Sequence, residues 1–285
     1  MTNIFKDIPF VSTAWLAERL GQKGIAIVDG SWHLPPTGRS GAAEYLTAHI
    51  PGAVFVDIDV LADTSSGLPH MLPSAQVFAE AVGAMGISAE DTIVVYDGAG
   101  LFSAPRVAWM FKVFGAKDVR LLEGGFPRWQ AEGRPVASGA AAPVIPAHFA
   151  ARLMEGVVAS MADVQASLAT GARQVVDARP AARFRGEAPE PRAGVRAGHI
   201  PGSLNLPFDR IVADGALKSE SEIKAAMAEA GIDAGQPIIT SCGSGVSAAI
   251  IALALAQAGA EVNAIYDGAW AEWGAREGMP VASGQ

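Results

Sequence analysis

Short apolar runs alternate with longer amphipathic stretches along most of the chain, and the alternation is clearest in its second half. There the apolar runs predict β-strands at residues 157–159, 174–177, 237–241 and 262–266. The stretches between them predict α-helices at 161–169, 219–230 and 248–258. Short strands separated by helices favour an α/β fold with a mostly parallel sheet that is covered on both faces. In sheets of this kind, functional sites form beyond the carboxyl ends of the strands.

Several motifs occur twice in the same order, which indicates a duplicated domain. The matching segments are 27–29 with 175–177, 48–53 with 198–203, 92–98 with 237–243, and 122–129 with 266–273. The segment 136–154 between the two copies is rich in Ala, Pro, Gly and Ser and has neither a helical nor an alternating pattern. We therefore predict one domain at residues 1–135, a surface linker at 136–154 and a second domain at 155–285.

Cys242 is the only cysteine among the 285 residues, and it lies between a predicted strand end and a predicted helix start. Gly243 and Gly245 allow the following backbone to curl so that several N–H groups point inward. Such a ring of amides at a helix N-terminus stabilises an anion, so we expect a reactive thiolate. The alternative is a buried cysteine that acts only as a small hydrophobic residue. Asp97 stands at the matching position of the first copy, which therefore lacks a thiol nucleophile.

Composition and charge narrow the classes of partner and compartment. Half of the residues are hydrophobic, as in globular proteins, and the net charge of −8 argues against nucleic acid or an anionic membrane as a partner. A single cysteine excludes an intramolecular disulfide and fits a reducing compartment. The first residues show no basic segment followed by an apolar stretch, and no apolar run is long enough to span a bilayer. We therefore expect a cytoplasmic protein without a membrane segment.

Common metal and nucleotide motifs are missing from the sequence. The five histidines are scattered, and none forms a closely spaced ligand set with Cys242. Neither a G-x-G-x-x-G motif after a strand nor a P-loop is present, so nucleotide binding has no support. We therefore expect neither a metal nor an organic cofactor.

The loop from Cys242 to Ser247, Cys-Gly-Ser-Gly-Val-Ser, resembles the active loop of the rhodanese-like sulfurtransferases, in particular of the branch that uses 3-mercaptopyruvate. The resemblance covers nearly the whole chain. It includes both His-Ile-Pro-Gly motifs and the segments 57–59, 70–73, 125–129, 177–179, 183–186 and 189–192. Relatives that use thiosulfate carry basic residues directly after the cysteine, whereas this chain has Gly243 and Ser244. The loop therefore favours 3-mercaptopyruvate as the sulfur donor.

The resemblance implies two tandem rhodanese-like domains, each a mostly parallel sheet flanked by helices, with the C-terminal domain catalytic. In this family the cysteine takes the sulfur of 3-mercaptopyruvate as a persulfide and releases pyruvate. The sulfur then passes to a thiol such as thioredoxin, or to cyanide. Carried over to this chain, the resemblance makes Cys242 the nucleophile and sulfur carrier. Because two repeats already pack as a pseudo-dimer, we expect a monomer.

The resemblance also implies which residues bind the substrate and the persulfide. Arginines suit this role because a guanidinium group can bind a carboxylate and the neighbouring keto oxygen. The backbone amides of the loop after the cysteine would hold the persulfide. The binding residues implied in this way are Arg183, Arg185, Arg192, Gly243, Gly245, Val246 and Ser247. The alternative for the arginines is surface charge in a polar loop.

Ser244, Asp59 and His70 match positions proposed in the family as a relay like that of the serine proteases. Such a relay has a physical purpose, because a proton must be managed while pyruvate leaves as an enolate or enol. Since His70 and Asp59 belong to the first domain, the relay would span the cleft between the domains. The alternative is that His70 is a surface histidine and Asp59 a turn carboxylate.

Other functions compete with this interpretation. Thiosulfate could be the main donor, or the chain could be a non-enzymatic sulfur carrier or scaffold that acts through its first domain. A cysteine phosphatase is disfavoured because its C-x5-R loop needs an arginine where this chain has Ala248. His49, His199, Asp29 and Asp177 occur in both copies although only one copy has a thiol, so we expect structural roles for them.

Overall fold

The computed structural model describes residues 3–284 and contains two five-stranded sheets. The strands of the first sheet are β1 (Phe10–Val11), β2 (Ile25–Asp29), β3 (Ala53–Phe55), β4 (Thr92–Tyr96) and β5 (Asp118–Leu122). The later strands are β6 (Val158–Ala159), β7 (Gln174–Asp177), β8 (Leu204–Asn205), β9 (Val212–Ala213), β10 (Ala216–Leu217), β11 (Ile238–Ser241) and β12 (Val262–Tyr266). β9 and β10 form a short antiparallel hairpin, and the other five form the second sheet.

The two sheets have equivalent strand orders, β1-β5-β4-β2-β3 and β6-β12-β11-β7-β8. All pairs within them are parallel. Each strand of the first sheet thus has its counterpart in the second, which confirms the duplication and the mostly parallel sheets predicted from the sequence. β7 and β12 have the predicted bounds to the residue.

Helices accompany both sheets. Those of the first domain are α1 (Thr13–Ala17), α2 (Gly41–Thr47), α3 (Ala75–Ala84), α4 (Ala104–Val113) and α5 (Gly125–Ala131). Those of the second are α6 (Met161–Thr170), α7 (Ala181–Phe184), α8 (Glu220–Glu229), α9 (Val246–Gln257) and α10 (Ala269–Trp273). Capping boxes at the starts of α6 and α8 satisfy amide groups that have no partner in the helix. Within residues 3–284, no helix has the length and hydropathy required to cross a membrane.

Both faces of each sheet are buried. Along β4, Ile93 and Val95 belong to one hydrophobic cluster, whereas Val94 and Tyr96 belong to another. Successive side chains of a strand point to opposite faces, so the two clusters lie on the two sides of the sheet. This double burial explains why the strands appear in the sequence as continuous apolar runs.

α4 and α9 pack against each other and join the two domains. Residues 248–256 of α9 are all buried, and only Lys112 of α4 escapes full burial. A helix that is apolar on every side is typical of a protein interior. One hydrophobic cluster includes residues of both helices and both sheets, so the two domains share a continuous core.

α9 begins at Val246, two residues before the predicted start at 248. Gly245 is the N-cap residue and has a left-handed conformation, with φ at +80°. Glycine adopts this conformation at no steric cost, so the chain turns within one residue and Val246 and Ser247 join the helix. The loop between β11 and α9 is therefore shorter than the sequence pattern suggests.

The segment between α5 and β6 carries neither helix nor strand, and it packs on the first domain. The amide of Ala147 donates to the carbonyl of Gly83 at 2.8 Å, and Phe149 is buried. His49 pairs with Ala137 in an isolated β-bridge, and its counterpart His199 pairs with Ala282. Both imidazoles are buried, and Nδ1 of each lies at hydrogen-bond distance from a backbone carbonyl oxygen, that of Tyr45 for His49 and that of Phe184 for His199. These contacts are those that a structural role predicts.

Candidate active site

Cys242 lies directly after β11, at the carboxyl end of the second sheet, and only 2 % of its surface is exposed. The amide of Trp270 donates to the carbonyl of Cys242 at 2.9 Å, and the amide of Ala271 donates to that of Gly243 at 3.0 Å. α10 thereby fixes the loop. The first amides of α9 have no carbonyl partner within their own helix. This helix end therefore favours an anionic sulfur.

The matching loop of the first domain holds a carboxylate in place of a thiol. Asp97 follows β4 as Cys242 follows β11. Its Oδ2 accepts hydrogen bonds from the amides of residues 102–104 at 2.7, 2.9 and 2.8 Å. Its Oδ1 accepts one from the amide of Ala99 at 2.9 Å. In this loop, four backbone N–H groups converge on one anion.

His70 reaches the loop after Cys242 from the first domain and is buried there. Its Nδ1 lies 3.2 Å from the backbone carbonyl oxygen of Ser244, and its Nε2 lies 2.8 Å from Oδ1 of Asp59. His70 therefore joins Asp59 of its own domain to the cysteine loop of the other.

Trp32 completes this arrangement. Its ring packs edge-on against the His70 imidazole, with the ring centres 4.8 Å apart. Its Nε1 donates to Oδ2 of Asp59 at 2.8 Å, so both oxygens of that carboxylate have a donor. The hydrogen bond from His70 is the main cause that lowers the pKa of Asp59, and burial opposes it. Trp32 and the charge of Arg192 lower this pKa further.

The three predicted relay residues lie together, but their connection differs from a serine-protease relay. The imidazole of His70 contacts the backbone carbonyl of Ser244 rather than its hydroxyl. This contact positions the loop relative to His70.

Arg183 lies against the cysteine loop. A Cβ atom placed on Gly243 would lie 3.1 Å from Nη2 of Arg183, so the guanidinium lies directly against this glycine. Arg183 forms an ion pair with Glu190, whose side chain is buried and also pairs with Arg179 at 2.8 Å. Arg179 in turn binds Asp177 at 2.7 Å. Two buried carboxylates and one buried arginine thus fix the orientation of Arg183.

Arg192 is half-buried and faces the same charges. Burial is the largest influence and lowers the pKa of its guanidinium, and the neighbouring charge of Arg183 lowers it too. The negative charges of Cys242, Glu190 and Asp59 act in the opposite direction. Arg192 therefore lies near Cys242, Asp59 and Arg183 at once.

Arg185 is not part of this group, although the sequence suggested it as a third binding arginine. Its guanidinium binds the exposed Glu187 at 2.7 and 2.8 Å. Residues two positions apart in a helical turn do not face the same side, and α7 ends between Arg183 and Arg185. Arg183 therefore points to the cleft while Arg185 points to solvent.

A cavity of about 340 Å³ lies beside the two arginines. Its lining comes from both domains and consists of Leu34, Pro35, Pro36, Pro180, Arg183, Pro189, Pro191 and Arg192. Prolines restrict the backbone, so the walls of this cavity are rigid. An anionic group that enters meets two guanidinium groups between apolar walls.

The remaining predicted residues occupy the start of α9. Gly243 and Gly245 permit the turn, and Val246 and Ser247 provide the first turn of the helix. Sequence reasoning missed Trp32 and the role of Glu190. The only signal for Glu190 was its place in the segment 189–192, and the only signal for Trp32 was its place shortly after β2.

Comparison with known proteins agrees with this geometry. The family model of the rhodanese-like domain matches residues 12–132 and 160–276. A 3-mercaptopyruvate sulfurtransferase from Escherichia coli is 44 % identical over 273 residues, which is 95 % of this chain and 97 % of that protein. A thiosulfate sulfurtransferase from Cricetulus griseus is 43 % identical over 271 residues, which is 92 % of this chain and 91 % of that protein.

A solved structure shows the same fold. The crystal structure of SseA from Escherichia coli, a 3-mercaptopyruvate sulfotransferase, has a TM-score of 0.85 and 42 % sequence identity. The match covers 92 % of this chain and 99 % of that one. The tandem sheets, the cysteine loop and the likeness over nearly the whole length lead to one assignment. The chain belongs to the tandem rhodanese-like sulfurtransferases, in the family of the 3-mercaptopyruvate sulfurtransferases.

Proposed function

We propose that this enzyme moves the sulfur of 3-mercaptopyruvate to Cys242 and then to a thiol acceptor. The observation that carries this proposal is that Arg183, Arg192 and the His70 imidazole surround the loop of one buried thiol. The donor has a carboxylate, a keto oxygen and a sulfur on adjacent carbons. Arg183 and Arg192 suit the first two groups, and Cys242 suits the third.

In the first half of the reaction, the Cys242 thiolate attacks the sulfur of the donor. A sulfur–sulfur bond forms, the carbon–sulfur bond breaks, and its electron pair remains on the carbon as the enolate of pyruvate. The arginines neutralise the carboxylate and the developing charge on the enolate oxygen. His70 gives its proton to the enolate carbon, and Asp59 stabilises the imidazolium before that transfer.

In the second half, the enzyme carries a persulfide on Cys242. The proton that the donor thiol brought on the outer sulfur returns to His70, and the amides from Gly243 to Ser247 bind the negative charge left on that sulfur. An acceptor thiolate, such as that of thioredoxin, or cyanide attacks this outer sulfur. The sulfur–sulfur bond of the enzyme breaks, the acceptor gains the sulfur, and the Cys242 thiolate is restored.

The choice of donor follows from where the positive charges lie. Thiosulfate is a dianion without a carboxylate, and a loop suited to it would carry cations directly beside the thiol. Here Gly243 and Ser244 occupy those positions, and the arginines lie at the side of the cleft that would receive a carboxylate. Thiosulfate is the second candidate donor because a relative of similar identity is named for it.

The test is steady-state sulfur transfer with each donor, on the native enzyme and on Cys242→Ser. We expect a strong preference for 3-mercaptopyruvate and no turnover by the variant. Equal or faster turnover of thiosulfate would show that loop composition does not set donor choice. Turnover of neither donor by the native enzyme would favour a sulfur carrier or scaffold.

The same proposal takes the chain to be a cytoplasmic monomer with its chemistry in the second domain, residues 155–285. α4 and α9 already cover the faces through which two separate rhodanese-like domains could associate. Sedimentation equilibrium at micromolar concentration should give the mass of one chain. A dimer under these conditions would contradict this part of the proposal.

A further inference from the structure

A buried ion pair joins the two domains directly behind His70. Arg106 belongs to α4 of the first domain, and Asp267 follows β12 of the second. Nη1 of the arginine lies 2.7 Å from Oδ1 of the aspartate, and the two side chains are 0 % and 4 % exposed. A charge pair this deeply buried loses its hydration on both sides, so its presence requires further hydrogen bonds.

Both members of the pair form hydrogen bonds with the backbone of the same short segment, residues 70–72. Nη2 of Arg106 donates to the backbone carbonyl of His70 at 2.5 Å. Oδ2 of Asp267 accepts the backbone amide of Leu72 at 2.8 Å. One residue from each domain therefore holds a backbone group on either side of Met71.

This segment needs such support because His70 has a φ of +58°. Residues other than glycine rarely adopt this left-handed conformation, and they keep it only where surrounding contacts impose it. The conformation decides where the imidazole points, and the imidazole contacts both Asp59 and the Ser244 carbonyl. Contacts to the backbone of His70 therefore act on the position of its ring.

The pair is absent from the matching places of the duplicated domain. Glu123 occupies the place of Asp267 in the first domain, and it forms an exposed ion pair with Arg128 at 3.2 Å. Ala248 occupies in α9 the place that Arg106 has in α4, the third residue of the helix. The ion pair is thus no general requirement of the fold, and it occurs only where the first domain meets the cysteine loop.

We propose that Arg106 and Asp267 are positioning residues for His70, and that they set its proton transfer to the departing enolate. They touch no substrate in this proposal and act through the backbone of residues 70–72. The proposal rests on the function of His70 proposed above. Misplacing a catalytic group by about 1 Å can cost about a hundredfold in rate, so a small shift of this segment has a large effect.

The test begins with two conservative variants. Arg106→Lys keeps the positive charge but cannot reach both the aspartate and the carbonyl of His70. Asp267→Asn keeps an acceptor for the Leu72 amide but loses the charge. We expect each to lower kcat for 3-mercaptopyruvate by about ten- to a hundredfold and to leave KM within about twofold, because the arginines that bind the donor are unchanged.

Glu123→Gln is the matched control, because it removes the equivalent acidic charge from the first domain. It should retain the native kcat. Urea unfolding of all three variants shows which of them fold, and Asp267→Asn carries the test if Arg106→Lys does not fold.

A double-mutant cycle with His70→Ala separates positioning from general structural damage. If Arg106 acts through His70, the double variant Arg106→Lys/His70→Ala should have the activity of His70→Ala alone. If the loss of activity in the double variant instead equals the product of the losses in the two single variants, the proposal is overturned. Alkylation of Cys242 by iodoacetamide should proceed at the native rate in Arg106→Lys. If the alkylation rate falls together with kcat, the substitution acts on the cysteine loop rather than on His70, and the proposal is overturned too.

A third readout distinguishes this proposal from the proposed function itself. If His70→Ala retains full activity, the catalytic role of His70 fails, whatever Arg106 does. Positioning is then judged from the rate at which diethyl pyrocarbonate modifies His70, measured on its peptide by mass spectrometry. We expect faster modification in Arg106→Lys than in the native enzyme or Glu123→Gln. Equal rates in all three would overturn the positioning role independently of catalysis.

Discussion

Replacing Asp59 with Asn tests the relay with the smallest change of shape. The two oxygens of Asp59 face two donors, Nε2 of His70 and Nε1 of Trp32, each at 2.8 Å. An asparagine offers one oxygen and one NH₂ group, so one of these donors loses its acceptor. The negative charge that stabilises the imidazolium is lost at the same time.

The size of the effect follows from distance and exposure. Opposite charges about 4 Å apart attract by about 4 kcal/mol at an effective dielectric constant near 20. The Asp59 side chain is 60 % exposed, so solvent screening reduces its stabilisation of the imidazolium to about 1–2 kcal/mol. If this stabilisation is used in proton transfer, Asp59→Asn should lower kcat about 5- to 30-fold.

The assay is steady-state release of pyruvate from 3-mercaptopyruvate across the pH range of the enzyme. His70 lowers the pKa of Asp59 below its ordinary value of 3.8. The contribution of this carboxylate is therefore present above that value and is lost only as the pH falls through the lowered pKa. Asp63→Asn is the control, because this carboxylate lies in the same segment and its side chain accepts hydrogen bonds from Ser65.

Two results would refute this reasoning. A native kcat in Asp59→Asn would show that the carboxylate does not assist His70. A rise in KM with kcat unchanged would show that Asp59 acts on donor binding through Arg192, whose charge it faces.

Three further changes have defined outcomes. Burial raises the pKa of Asp29 to about 6, so the folded state binds its proton more tightly than the unfolded state. As the pH rises from 4 to 6, native stability should therefore fall by about 2 kcal/mol relative to Asp29→Asn, as urea unfolding would measure. Parallel pH profiles of the two proteins would contradict this. Gly245→Ala should destabilise the enzyme more than Gly231→Ala in the same unfolding assay. Both glycines have positive φ, but only at Gly245 would the new Cβ meet Arg106, at 2.8 Å from Nη1. Equal losses of unfolding free energy in the two variants would exclude this clash. Hydrogen peroxide should inactivate the enzyme, because no second cysteine can form an internal disulfide that protects Cys242. External thiols should restore the activity while the cysteine is at the sulfenic acid stage. A disulfide-linked dimer as the main product on a non-reducing gel would contradict the burial of this thiol.

The sequence predicted the features that depend on neighbouring residues. β7 and β12 appear in the sequence as apolar runs, and Gly243 and Gly245 after Cys242 indicate a tight turn between strand and helix. The duplication was visible because both copies kept the residues of their turns. The structural role expected for His49 and His199 stays a prediction, and their equivalent buried contacts with Tyr45 and Phe184 support it.

The contacts that complete the site join residues too distant in the sequence to be paired by pattern. His70 and Ser244 are 174 positions apart, and Leu72 and Asp267 are 195 apart. Only the packing of α4 on α9 brings these segments together. Nothing in the sequence states that Arg183 and Arg185 point to opposite sides, or that Trp32 supports Asp59. These are consequences of the tertiary fold rather than of local propensity.

The two loops differ in the residue that follows the strand, because Asp97 follows β4 where Cys242 follows β11. In the first domain the carboxylate of Asp97 accepts four amide hydrogen bonds. A carboxylate in that place leaves no room in the loop for a second anion and can carry no sulfur. In the proposed reaction the first domain therefore acts through its neighbour. Its His70 contacts the loop after Cys242 and is held by Asp59, which Trp32 supports, so the proposed active site lies in the cleft between the two copies.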